Sequence, residues 1–284
     1  MKLYEPSTIK YLKNKYGFKF SKNLGQNFLT EGEVIEGIVE SAGIIEDDLV
    51  IEIGPGIGVL TVAAAERAGK VIAIEIDREL QEILAETLQG HDNIEVIFSD
   101  VMKLDLAKLI EEERRDYKSV KVLGNLPYYI TTPILMKLIE SRLPVESITV
   151  MMQKEVAERI DASPGGRTYG AISVAVQYYC DVEIAMEVPK DCFMPIPKVD
   201  SAVLHLTVRE KPAVAVNDEK MFFRVVKAGF SQRRKTLLNS LQTGGFSKDL
   251  IKKCLDEAGI EQTRRAETLS LEDFAKFADN FLLG

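Results

Sequence analysis

The sequence predicts an α/β fold: a mostly parallel sheet with helices on both faces, followed by a small α-helical C-terminal domain. Three observations carry that prediction. Between residues 48 and 159, short runs rich in Val and Ile alternate with longer amphipathic stretches, the rhythm of strand–helix units that pair in parallel. The short runs are continuously apolar, as strands buried on both faces must be. Beyond Lys211-Pro-Ala the apolar period turns helical and stays so.

In chain order, the predicted strands of the first part are 49–53, 70–76, 94–99, 120–124 and 147–152, each brief and β-branched. Helical spacing fills the intervals at 59–68, 79–89, 106–115 and 133–140. Turn-forming residues then gather at Ser163-Pro-Gly-Gly-Arg-Thr-Tyr-Gly170. Two further β-like runs, 182–188 and 202–208, flank the Pro-rich Phe193-Met-Pro-Ile-Pro-Lys198. Helices are expected at 219–228, 233–241, 248–258 and 271–281. This gives one domain over residues 1–210, opening with a basic segment at 1–30, and a helical domain over 211–284.

Composition narrows the functional classes. With 46% hydrophobic and 28% charged residues in 284, the chain can bury a large core. No apolar run approaches the ~18 residues of a membrane span, and the opening residues lack the apolar centre of a signal peptide. Three widely spaced cysteines and two histidines fit a reducing, cytoplasmic setting and no disulfide framework, and no metal is expected. The net charge of −8 hides an asymmetry. Residues 46–100 hold thirteen acids against three bases, the first thirty hold six lysines and Glu5, and residues 221–241 hold five bases and no acid. Local fields rather than the sum decide binding, so a polyanionic partner remains open.

Open α/β sheets bind ligands at the carboxyl ends of their strands. The first strand ends in Glu52-Ile-Gly54-Pro-Gly56-Ile-Gly58 and runs into a helix. Glycines there allow a tight turn and a close backbone approach. Glu75, 21 residues after Gly54, closes the second strand where an acid can accept both ribose hydroxyls. Asp100 closes the third, where a carboxylate can accept from an exocyclic amine. The three together point to a nucleoside ligand. The spacing is not that of a dinucleotide binder, and a Walker sequence is absent. It resembles instead the first motif of S-adenosylmethionine-dependent methyltransferases, which implies a Rossmann-like class I sheet and S-adenosyl-L-methionine as cofactor.

The fourth strand ends in Asn125-Leu126-Pro127-Tyr128. The lone pair of an adenine N6 is delocalised into the ring and is a poor nucleophile. Two acceptors, the Asn125 side-chain carbonyl and the Leu126 backbone carbonyl, can hold its two N–H groups and favour the pyramidal nitrogen of the transition state. Pro127 fixes the local φ, and Tyr128 can stack on a base turned out of its helix.

Asn125-Leu-Pro-Tyr, Gln26-Asn-Phe28, Met152-Gln-Lys-Glu-Val-Ala-Glu-Arg159, Phe193-Met-Pro-Ile-Pro-Lys-Val199 and Gly229-Phe-Ser-Gln-Arg-Arg-Lys-Thr-Leu237 together resemble the small-subunit ribosomal RNA adenine dimethyltransferase family over nearly the whole chain. The resemblance implies two methyl groups on N6 of each of two adjacent adenosines near the 3′ end of small-subunit (16S) rRNA. It implies a partly assembled 30S particle as substrate, met by a monomeric cytoplasmic enzyme during late subunit biogenesis. By the same resemblance Asn27, Leu29, Gly54, Glu75, Asp100, Val101 and Asn125 contact the cofactor, and Phe193 walls the base pocket opposite Tyr128. From the residues alone, Phe193 reads equally well as a buried loop anchor.

For RNA contact the candidates are Lys19 and Lys22, in a segment where lysines interleave with Tyr11, Tyr16, Phe18 and Phe20, and Arg233, Arg234 and Lys235, expected at the start of a helix. Competing readings are a large-subunit rRNA methyltransferase conferring macrolide resistance, a DNA N6-adenine methyltransferase, and a non-catalytic assembly or transcription factor. Cytosine-C5 methylation needs a thiol that typically follows proline, and no cysteine here does.

Overall fold

The computed structural model describes residues 2–21 and 24–281. Helix α1 (Pro6–Tyr16) and the short strand β1 (Phe28–Leu29) lead into α2 (Gly32–Ser41). The strand–helix series follows as β2 (Asp48–Ile53), α3 (Val59–Ala65), β3 (Lys70–Glu75), α4 (Gln81–Thr87), β4 (Ile94–Phe98), α5 (Leu106–Glu113), β5 (Ser119–Asn125), α6 (Thr131–Glu140) and β6 (Ser147–Gln153). After α7 (Lys154–Ile160) and α8 (Ala171–Tyr179) come β7 (Cys180–Val188), β8 (Phe193–Met194) and β9 (Ser201–Val208). Helices α9 (Glu219–Gly229), α10 (Leu237–Thr243), α11 (Lys248–Ala258) and α12 (Leu271–Asn280) close the chain.

The main sheet has seven strands in the order β4-β3-β2-β5-β6-β9-β7. Strands β2 through β6 run parallel, and β9 pairs antiparallel with β6. The chain builds outward from β2 through β3 to β4, then returns to the other side of β2 with β5. That reversal opens a crevice at the carboxyl ends of β2 and β5, the place where such sheets hold ligands. Strand β2 is buried from end to end, which explains its unbroken apolar reading. Its two acids meet different fates: Asp48, at the foot, pairs with Lys121 at 3.0 Å, whereas Glu52 lies at the ligand end.

By compactness the chain divides into Met1–Ala157 with Glu183–Val208, and Glu158–Val182 with Arg209–Gly284. Residues 158–182 thus join the helices of the second unit, although the sequence placed them with the sheet. The reason is local bonding. Gln177 Nε2 donates to the carbonyls of Ile160 and Ala162 at 2.7 and 2.9 Å, and Tyr178 stacks on Phe222 of α9. In this unit Phe222, Phe274 and Phe277 are fully buried. Helices α9 to α12 begin at side-chain caps: Asp218, Thr236, Ser247 and Ser270 each accept backbone N–H groups of the first turn. The Thr236 cap moves the start of α10 to Leu237, so Arg233, Arg234 and Lys235 occupy the preceding turn rather than the helix predicted from residue 233.

Among the described residues no helix is long and apolar enough to cross a membrane, and no cluster of His, Cys, Asp and Glu could hold a metal ion.

Candidate active site

A cavity with about 1030 Å³ of empty space, its open mouth included, lies at the carboxyl ends of β2, β3, β4 and β5. Asn27, Leu29, Gly54, Glu75, Asp100, Val101, Asn125, Leu126, Pro127 and Tyr128 all line it. The parallel register carries strand ends far apart in sequence to one edge: Glu52 stands opposite Leu123, and Ile53 opposite Ile74.

The glycine turn after β2 requires its residue type. Gly54 and Gly56 have φ of 74° and 60°, and a Cβ on Gly56 would come within 2.9 Å of the Phe28 ring. With no side chain there, Gly56 N–H reaches Glu75 Oε2 at 3.1 Å, and Asp77 N–H reaches Oε1 at 2.8 Å. Glu75 is buried, which raises its carboxyl above the ordinary range; those two N–H donors oppose the rise. Each carboxylate oxygen keeps a further lone pair for a ligand hydroxyl.

Glu52 lines the same cavity at 1% exposure, and its Oε2 has no hydrogen-bond partner. Burial pushes its carboxyl up to about 8, with added repulsion from Glu75. A buried carboxyl oxygen left without a partner beside a cavity is costly unless a ligand or a proton satisfies it. Together with the side-chain-free turn and the open acceptor positions of Glu75, it fits a ligand with hydroxyls, an amine and positive charge. A sulfonium-bearing nucleoside has all three.

At the end of β5, Asn125 Nδ2 donates to the backbone carbonyl of Asn27 at 2.9 Å. The amide plane is thereby fixed, and Oδ1 sits on the opposite side of the carboxamide as an acceptor. Leu126 is held by its own N–H to the Met151 carbonyl at 3.2 Å. The Pro127 carbonyl accepts from Thr131 Oγ1 at 2.9 Å and from Ile130 N–H at 3.1 Å, locking the turn into α6. Tyr128 is half-buried, and its hydroxyl lies 2.7 Å from Ser201 Oγ.

The N-terminal segment closes one side. Gln26 bridges Ser21 N–H (2.8 Å) to Asp77 Oδ2 (2.6 Å), clasping the loop before β1 to the turn after β3. At the end of β4, Asp100 Oδ1 accepts Met102 N–H at 2.9 Å. At the mouth, Ile76 and Tyr129 line the cavity yet stay more than half exposed.

Phe193, which the resemblance puts on the wall of the target-base pocket, lies in β8. It is 2% exposed, pairs across β8–β1 with Leu29, and belongs to a core cluster with Leu123, Met151 and Val203. It is not among the residues lining this cavity. The basic–aromatic segment is altered: Phe18 is buried against Phe28 and Leu12, leaving Tyr11 as the exposed aromatic of the four. Lys19, Arg233, Arg234 and Lys235 are exposed, the Arg233 guanidinium donating to the Arg167 carbonyl. Lys22 lies outside the described residues.

Sequence reasoning missed Gln26, Glu52 and Ser201 as site residues. The first two stand inside motifs already noted. Ser201 is brought to Tyr128 only by the pairing of β9 with β6, which no local pattern announces.

A family model described as ribosomal RNA adenine dimethylase matches residues 17–281. The chain is 50% identical to ribosomal RNA small subunit methyltransferase A of Oceanobacillus iheyensis over 279 residues, 97% of this chain and 95% of that protein. Among solved structures it resembles a dimethyladenosine transferase from Plasmodium falciparum with a TM-score of 0.72 at 29% identity, covering 88% of this chain and 95% of that one. It also resembles the 23S rRNA methyltransferase ErmE, with a TM-score of 0.68 at 27% identity, covering 89% and 99%.

Proposed function

Since the chain belongs to the ribosomal RNA adenine dimethylase family, we propose that it places two methyl groups on N6 of each of two adjacent adenosines near the 3′ end of small-subunit rRNA. The substrate is a partly assembled 30S particle, and the enzyme acts as a cytoplasmic monomer. The small-subunit target is supported by the 50% identical relative, whose name carries that specificity.

S-adenosyl-L-methionine, when bound, supplies an electrophilic methyl carbon on a cationic sulfur. The protein does the rest by position. Glu75 takes the ribose hydroxyls on the lone pairs left by its two backbone donors. Asp100 accepts from the cofactor's adenine amine, with Val101 beside it as an apolar wall. Gly54 brings backbone to the methionine portion, and Asn27 and Leu29 close the site from the N-terminal segment. Asn125 Oδ1 and the Leu126 carbonyl accept the two N–H groups of the unmethylated target amine and, for the second methyl, one of them accepts the single N–H that remains; at each transfer the nitrogen gives up one proton to solvent. This draws its lone pair out of the ring plane and toward the methyl carbon. Tyr128 stacks on the extruded base. Lys19, Arg233, Arg234 and Lys235 meet backbone phosphates.

The observation that carries this reading is the bond from Asn125 Nδ2 to the Asn27 carbonyl. It ties the target-amine acceptor to the same segment that closes the cofactor site, so one contact organises both halves of the reaction.

The test is transfer of labelled methyl groups to undermethylated small subunits, with large subunits as control, followed by nucleoside analysis. N6,N6-dimethyladenosine in the small subunit at two adjacent positions is the expected product. Label in large-subunit RNA or in any other nucleoside overturns the assignment.

A further inference from the structure

Lys137, on α6, lies outside the cavity lining, yet its Nζ donates to three backbone carbonyls of a single turn. These are Val101 at 2.7 Å, Met102 at 2.9 Å and Leu104 at 2.8 Å. An ammonium has three protons, so its donor capacity is fully spent on this turn. From within, Asp100 closes the same turn: its Oδ1 accepts Met102 N–H, and its carbonyl accepts the N–H groups of Lys103 and Leu104 at 2.9 and 3.1 Å. The segment after β4 is therefore held from two sides. A lysine paired with one exposed carboxylate moves freely and contributes little, whereas three converging carbonyls define a single ammonium position. The same face of α6 carries Ile134, one turn earlier, into the cavity lining.

We propose that Lys137 is a positioning residue for the cofactor's adenine. It locks the turn 101–104 so that Asp100 and Val101 stand in place before the ligand arrives. It also ties that turn to the helix issuing from the Asn125–Tyr128 segment, so the cofactor's base and the target base are referred to one rigid element. Preorganisation of this kind keeps the Asp100 carboxylate aimed at the 6-amine, so its benefit falls on a ligand that carries that donor. The inference rests on the reading of Asp100 and Val101 as the adenine site.

The experiment is calorimetric titration with S-adenosylhomocysteine and with S-inosylhomocysteine, its analogue bearing oxygen in place of the adenine 6-amine. Wild type, Lys137→Met and Lys137→Gln are compared. The wild type should prefer the amine. Lys137→Met should lower that preference about tenfold, the worth of one well-placed hydrogen bond to a charged acceptor, while affinity for the 6-oxo analogue changes little. Lys137→Gln, which retains one donor group on a shorter chain, should fall between the two and keeps the answer independent of how one variant folds. Equal weakening toward both ligands, or none, overturns the inference and leaves a helix–loop staple. A wild type that does not distinguish the two ligands overturns the adenine-site reading itself, and the inference with it.

Discussion

Ser201→Ala removes one buried hydroxyl whose hydrogen-bond partner is the Tyr128 phenol, 2.7 Å away. Ser201 opens β9 and stands opposite Gln153 of β6, so its position is fixed by the sheet. The phenol is therefore a tether that sets how the Tyr128 ring faces the cavity. Burial raises the phenol's pKa, so the pair stays a neutral O–H···O bond through the working pH range. A neutral bond of this kind nets about 1 kcal/mol, roughly a factor of five. Ser201→Ala should thus slow single-turnover methyl transfer about fivefold. Affinity for S-adenosylhomocysteine should stay unchanged, because Ser201 does not line the cavity. Tyr128→Phe deletes the other end of the same bond, and the double variant should be no slower than either single one. Such a cycle isolates the pairwise contribution. Additive losses would refute the tether, since they require the two hydroxyls to act separately.

The buried Glu52 carboxyl sets a pH dependence. Between its ordinary 4.5 and about 8 the folded chain holds a proton that the unfolded chain has released. Stability therefore falls as pH rises through that window, by at most about 1.4 kcal/mol per unit. Glu52→Gln should flatten the ligand-free Tm profile there and raise Tm near pH 8; parallel profiles for the two proteins would count against it. Phe193→Ala should cost about 3 kcal/mol in denaturant unfolding, as loss of a buried ring does, whereas unchanged stability with lost transfer would favour the base-pocket role over the loop anchor. Charge reversal at Arg233 and Arg234 should weaken small-subunit binding and lessen the slope of log K against log salt by about one for each phosphate no longer neutralised. An unaltered slope would make them ordinary solvated charges.

The strand ends were legible because a parallel sheet leaves no freedom about where they go. Gly54, Glu75 and Asn125 each close a buried Val/Ile run and Asp100 follows the partly exposed edge strand β4, and once the runs pair, all four meet at one edge. What local patterns obscured was decided at long range. The stretch Ala-Ile-Ser-Val-Ala-Val-Gln-Tyr-Tyr is apolar and β-branched enough to lack a helical face, yet it forms α8. There Ser173 Oγ accepts Gly170 N–H at 3.0 Å and Gln177 fastens the helix to the chain before it. Helix α1 was hidden by its lysines, since only Thr8, Ile9 and Leu12 are buried. The Pro-rich loop carried the motif but not the direction of its phenylalanine, because the pairing of Phe193 with Leu29 joins residues 164 apart.

The central claim concerns the carboxamide at the end of β5 and is tested most directly by Asn125→Ala. Single-turnover methyl transfer to undermethylated small subunits and affinity for S-adenosylhomocysteine are measured on the same preparation. Loss of one preorganised acceptor should slow transfer by about 10²–10³-fold, whereas loss of the bond to the Asn27 carbonyl should weaken cofactor affinity only by about fivefold, the worth of one net hydrogen bond. Transfer at close to the wild-type rate would contradict the account, for then the target nitrogen would be activated without Asn125.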